Sequence, residues 1–110
     1  FDMSLLRYSP LAADAVSTLG ASIRLARIRR GWTVAGLATR VGVSHPTIAK
    51  VERGDPSVAI GTVFEAATLV GVPLFDPDPE VRRRHAAAQR AELALLPSAV
   101  RSNREVDDDF

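Results

Sequence analysis

The chain has 110 residues, of which 46% are apolar and 25% charged, with a formal net charge of +1. That is enough for one compact core and too apolar for a disordered polymer. The absence of cysteine excludes a disulfide framework and a thiolate metal site and fits a reducing cytoplasm. No apolar run reaches the length of a membrane span and no signal segment opens the chain, so no membrane partner is expected. Met3 reads as the natural start, with Phe1 and Asp2 placed ahead of it.

In chain order, residues 1–10 read as an extended segment, because Pro10 disfavours helical geometry at Ser9. A strand there would need a second copy of the chain to pair with. A first helix is predicted from about Leu11 to Arg30, stopped by Gly31. Thr33 caps a second helix that runs through Val41. The turn Gly42-Val43-Ser44 leads to a third helix from about His45 to Arg53, with Pro46 tolerated in its first turn. A fourth spans Ile60 to Val70 and stops at Gly71. Val72-Pro73-Leu74-Phe75 reads as an apolar strap crossing the bundle. Asp78 caps a fifth helix with Pro79 at its first position, closed near Leu96 by Pro97. Residues 97–110 show no period and read as a flexible arm. The implied organisation is an extended segment over 1–10, a domain over 11–76, a packing helix over 77–96 and an acidic tail over 97–110.

The second and third helices carry a helix-turn-helix spacing. Leu37 and Ala38 lie inside the first of the pair, and Gly42 sits where a tight turn needs positive φ. Ser44 accepts hydrogen bonds from the first free amides of the next helix. Ile48 and Val51 face back toward the core. The outward side carries His45, Thr47 and Lys50, residue types that reach base edges and phosphates in a major groove. Thr47 offers either a methyl to thymine or a hydroxyl to several bases. Thr33, Arg40, Ser44 and Arg53 complete the candidate DNA-contacting set, through hydroxyls, cations and helix starts suited to phosphate. Residues 20–54 hold seven Lys or Arg and one Glu, a net of +6. Arg24, Arg27, Arg29 and Arg30 crowd the end of the leading helix and add to this field. Glu52 would be repelled by phosphate, so it reads as the partner of Arg40 or another nearby arginine, fixing the angle between two helices. Leu25 and Ile28 point partly outward from a helix whose core positions are Ile23 and Ala26. Either the fifth helix or the first segment covers them, or they belong to an interface with a second subunit or another protein partner.

The run Arg30-Gly31-Trp32-Thr33, then Leu37-Ala38, Gly42-Val43-Ser44, Thr47-Ile48 and Val51-Glu52-Arg53-Gly54 resembles the Xre/Cro family of helix-turn-helix repressors. The likeness covers about residues 19–75. It implies an all-α, five-helix, lambda-repressor-like fold and a homodimer on a near-palindromic operator in double-stranded DNA. Members often carry glutamine just after the cap of the second helix, where this chain has Val34. The third helix also lacks Asn and Gln, the usual adenine readers, which leaves His45, Thr47, Lys50 and DNA shape to set preference.

A narrower resemblance lies outside the motif. Arg53-Gly54-Asp55-Pro56-Ser57-Val58, Gly61-Thr62, Gly71-Val72-Pro73-Leu74-Phe75 and the ending Arg104-Glu105-Val106-Asp107-Asp108-Asp109-Phe110 are similar to HipB-type antitoxins. That likeness implies a repressor of its own operon that also binds a HipA-like serine/threonine kinase toxin. In it Phe110 would enter an apolar pocket, Asp107, Asp108 and Asp109 would meet basic residues of the kinase, and Val106 would belong to the same partner-binding tail. Residues 97–110 hold two Arg and four acids, a net of −2, so the tail and the basic motif suit different partners. The alternatives are a free-standing Xre-family regulator and an interaction adaptor that has lost DNA binding.

Other chemistry finds little footing. His45 and His85 lie 40 residues apart, and no HExxH pattern or phosphate loop accompanies them. No catalytic residue, metal or cofactor is expected. The arginines at 82, 83 and 84 read as the solvated front of the fifth helix or as a contact to phosphate or an acidic partner.

Overall fold

Local capping chemistry sets most boundaries of the fold. The computed structural model describes residues 7–98 and shows an all-α helix-turn-helix fold of five helices: α1 (Pro10–Arg29), α2 (Val34–Val41), α3 (His45–Glu52), α4 (Ile60–Val70) and α5 (Pro79–Ala94). Among the described residues there is no strand. Ser9 begins α1, its Oγ accepting from Ala12 N at 3.3 Å. Thr33 Oγ1 accepts from Gly36 N at 2.9 Å at the start of α2, and Asp78 Oδ1 accepts from Glu80 N at 2.9 Å at the start of α5. Each cap satisfies an amide that the helix itself leaves unpaired. Ser9 is therefore a helix cap and no part of a strand; residues 1–6 of the expected extended segment lie outside the described residues, as do residues 99–110 of the tail.

The chain divides into two compact units that part between Leu74 and Phe75. In the first, Ile23 of α1, Leu37 and Ala38 of α2, Ile48 and Val51 of α3, and Ala66, Ala67 and Val70 of α4 form one buried core. The helical period on each segment brings these residues to a common centre. Val72 and Leu74 pack against that core. Phe75 does not complete the expected strap: it is 86% exposed and, among the described residues, holds the one positive φ of a non-glycine residue, +58°.

The core is thin in side-chain volume, and α1 compensates by lying directly on the backbone end of α3. A Cβ on Gly20 would meet Val51 O at 2.5 Å, Glu52 O at 2.9 Å and Gly54 N at 3.0 Å. The approach is reciprocal, since a Cβ on Gly54 would meet Ser17 Cα at 2.7 Å. Two bare Cα atoms thus set the distance between the helix that opens the domain and the one that carries the candidate reading face.

The second unit contains α5, which buries none of its residues. Its surface ion pairs join Glu80 to Arg83 and, at 3.8 Å, to Arg84. Arg82 Nη1 turns back to donate to Asp76 O at 2.8 Å and Pro77 O at 2.9 Å. The three arginines expected as a solvated front or as an anion contact are thus engaged locally along their own segment. Leu93, Leu95 and Leu96 are exposed. Leu25 and Ile28 of α1, at 53% and 51%, also remain about half exposed.

Candidate nucleic-acid interface

Gly42 closes α2 in the left-handed conformation, φ +86°, with its amide donating to Ala38 O at 2.8 Å. Val43 N donates to the same carbonyl at 3.0 Å. This turn delivers Ser44 to the N-cap of α3, where its Oγ accepts from Thr47 N at 3.3 Å and lies 2.9 Å from Thr47 Oγ1. His45 and Lys50 are exposed and Thr47 is half-buried. Ile48, Val51 and Glu52 of the same helix are buried. The helix therefore has a fixed rear and an open front, and the front carries three of the residues expected to meet DNA.

The rear is held by an ion pair. Arg27 of α1 donates from Nε to Glu52 Oε2 at 2.6 Å and from Nη2 to Glu52 Oε1 at 3.0 Å. Its Nη1 donates to Trp32 O at 2.8 Å. Arg27 and Glu52 are only 8% and 9% exposed. A buried fork of this kind ties α1, the α1–α2 connection and α3 together with directional bonds. The partner of Glu52 is thus Arg27, not Arg40, and Arg27 is no part of a phosphate-facing field. Arg30 is similarly committed, its Nε donating to Val70 O at 2.9 Å at the end of α4. Arg24 and Arg29 remain exposed.

Arg40 has a different neighbour. Its guanidinium carbon lies 3.9 Å from the centre of the Trp32 ring, and its Nη1 donates to Gly36 O at 3.2 Å. A side chain on Gly36 would meet Thr33 Oγ1 at 3.2 Å and Arg40 Nη1 at 3.3 Å. Two expected site residues, Thr33 and Arg40, are in this way brought to the same bare Cα. Val34, at the position where repressors of the resembled family often carry glutamine, is half-buried against the core.

Beyond α3, Arg53 is the C-cap and is exposed. Asp55 Oδ1 accepts from Ser57 Oγ at 2.7 Å and from Ser57 N at 2.9 Å. These bonds, helped by the charges of Lys50 and Arg53, hold the Asp55 carboxyl below the usual carboxylate range. A group depressed in the folded state contributes stability above its unfolded pKa, and that stability is lost as pH falls through the lower folded value. Replacing Asp55 with asparagine is expected to shallow the acid limb of the stability-against-pH curve, read by thermal melts between about pH 2 and 6. An unchanged limb would show that the loop carries no such linkage. Val106, Asp107, Asp108, Asp109 and Phe110 lie outside the described residues.

A two-helix motif with a capped, outward-facing second helix defines the class of this domain. The family profile described as a helix-turn-helix domain matches residues 18–78, and the chain belongs to that family. It is similar to the HTH-type transcriptional regulator SutR of Escherichia coli, with 33% identity over 55 residues, covering 50% of this chain and 31% of the relative. Uncharacterized HTH-type transcriptional regulators of Mycobacterium tuberculosis and Mycobacterium bovis are 38% identical over 84 residues, covering 76% of this chain and 32% of each relative. The aligned part is about a third of the length of these relatives. No solved structure matches at comparable significance.

Proposed function

We propose that this chain is a DNA-binding transcriptional regulator that reads sequence by placing the start of α3 in the major groove. One observation carries the reading: α3 is capped by Ser44, buried behind at Ile48, Val51 and Glu52, and open in front at His45 and Lys50. Protein side chains reach base edges from such a front, while hydroxyls and cations around it fix the register on phosphates. In a homodimer the two copies of α3 would lie roughly 34 Å apart, which asks for a near-palindromic operator. If the dimer neutralises about eight phosphates, log affinity falls against log salt with a slope of about −7.

The test is fluorescence anisotropy with the duplex upstream of the chain's own gene against a random duplex. Preference for the first by about 1,000-fold or more is expected. Equal affinity for both would overturn sequence reading, and no binding to either in dilute salt would overturn the DNA assignment.

Ser44 also bears on how Thr47 reads. Its Oγ lies 2.9 Å from the Thr47 hydroxyl and competes with a base for that group, which favours the methyl as the reading contact. Thr47→Val is expected to retain base preference, whereas Thr47→Ser should relax it at one base pair by about 1 kcal/mol, the low end for a single base contact. Lys50→Ala should instead weaken all duplexes alike and reduce the salt slope by about 1 per subunit. Competition binding against single-base operator variants separates the two; a uniform loss from Thr47→Ser would contradict a base-reading role.

The antitoxin role is a finer reading supported by the likeness of residues 104–110 to HipB-type tails. A tail that orders on a basic partner surface loses entropy and gains a wrapped contact. Co-purification of a HipA-like kinase, lost on deleting residues 98–110, is the expected outcome. Full retention without those residues would remove the tail from the mechanism.

A further inference from the structure

We infer that Trp32 is a positioning residue for the DNA contact: its indole face holds the Arg40 guanidinium ready for a backbone phosphate. The inference rests on the DNA reading above and adds a residue that touches no DNA itself.

The geometry supports it from three sides. The Arg40 guanidinium carbon lies over the indole ring, 3.9 Å from its centre, where the negative face of the ring attracts a cation. Nη1 is anchored to Gly36 O at 3.2 Å. Gly36 lacks the side chain that would press on Nη1 at 3.3 Å. Among the described residues, the bond to Gly36 O is the one hydrogen bond that Arg40 donates, and no carboxylate pairs with it. A guanidinium has five N–H donors, so most stay open to a ligand's oxygen atoms. Trp32 is itself fixed, half-buried against the core with its carbonyl held by Arg27 at 2.8 Å. The second cation near the ring, Arg30 at 5.3 Å, is bound to Val70 O and does not compete for the role.

An arginine on a surface helix ordinarily gives up rotamer freedom when it binds a phosphate. Stacked and anchored beforehand, Arg40 has already given up most of it. Losing the platform should therefore cost affinity while leaving the charge, and hence the counterions released, unchanged.

The experiment is a double-mutant cycle on the full chain, with a random-sequence duplex as probe and salt titrations for each variant. Trp32→Leu removes the π face and keeps apolar bulk; Trp32→Phe restores a ring. Trp32→Leu is expected to lower affinity about 2- to 12-fold per subunit, the range for immobilising one long side chain, with the salt slope preserved. Trp32→Phe should recover much of that loss. Arg40→Ala should lower the slope by about 1 per subunit, and Trp32→Leu in its background should cost nothing more. Equal losses with and without Arg40 would overturn the positioning role while leaving the DNA reading intact. Should Trp32→Leu fail to fold, the same cycle with Trp32→Phe decides, since a smaller loss that vanishes without Arg40 supports the role and one that persists overturns it. A parent protein that binds no duplex overturns the DNA reading first.

Discussion

Replacing Glu52 with alanine is expected to remove about 3–5 kcal/mol of folding stability. The reason is what remains. Arg27 is 8% exposed and keeps only its bond to Trp32 O, so a guanidinium that cannot deprotonate would sit buried with two donors stripped of their carboxylate. Against a total of about 5–15 kcal/mol for a typical domain, that is a large share, and a fall in Tm of at least about 12 °C follows for a chain of this size. Glu52→Gln keeps the shape and loses the charge, and should fall between the two. Arg27→Met combined with Glu52→Leu should recover much of the loss, because an apolar pair of similar bulk avoids desolvating either ion. Urea and thermal denaturation read all three. A Glu52→Ala protein as stable as the parent would mean that the pair is not the clamp described.

The second large effect is expected at Gly20. Valine there should cost about 3 kcal/mol, the upper part of the range for overpacking, because the atoms in its way are the backbone of Val51, Glu52 and Gly54. Backbone at the end of a packed helix has nowhere to rotate, unlike a long side chain. Gly61 is the control. It lies in the first turn of α4 with no atom within 4 Å of a new Cβ, so Gly61→Ala should be neutral or stabilising by about 0.5 kcal/mol through helix propensity. If Gly20→Val and Gly61→Ala proved alike in denaturation, the close crossing of α1 and α3 would not be a stability determinant.

Most of the five-helix outline was legible in the sequence because its boundaries are local. Thr33, Ser44 and Asp78 act within three residues of themselves, and Gly42 and Gly71 end α2 and α4 where expected. The ends that moved did so by one or two residues: α1 runs from Pro10 to Arg29 against the expected Leu11 to Arg30, α3 stops at Glu52 in place of Arg53, and α5 stops at Ala94, short of Leu96. The arginine roles were legible only in part. Helical spacing puts Arg27, four residues after Ile23, on the buried face and leaves Arg24 and Arg29 exposed, but a count of charges takes all three together, and the carboxylate that lets Arg27 be buried arrives from 25 residues away. Charge counting therefore overstated the phosphate-facing field. The contact of Arg40 with Trp32 was not read at all, and of the two partners expected for Glu52, Arg40 or another nearby arginine, it is the second, Arg27, that pairs with it. Phe75 misled in the other direction, since an apolar run invites a buried strap but the backbone turns to positive φ at that residue.

The bare crossing at Gly20 and the Arg27–Glu52 fork have a consequence for how such a domain can change. Apart from the Ser44 cap at its start, what anchors α3 approaches from its back and its last turn. His45 and Lys50 bear none of that load, so they are free to vary while the scaffold stays as it is. A lineage or an experimenter can retarget this helix by rewriting its front, one letter at a time, without renegotiating the architecture behind it.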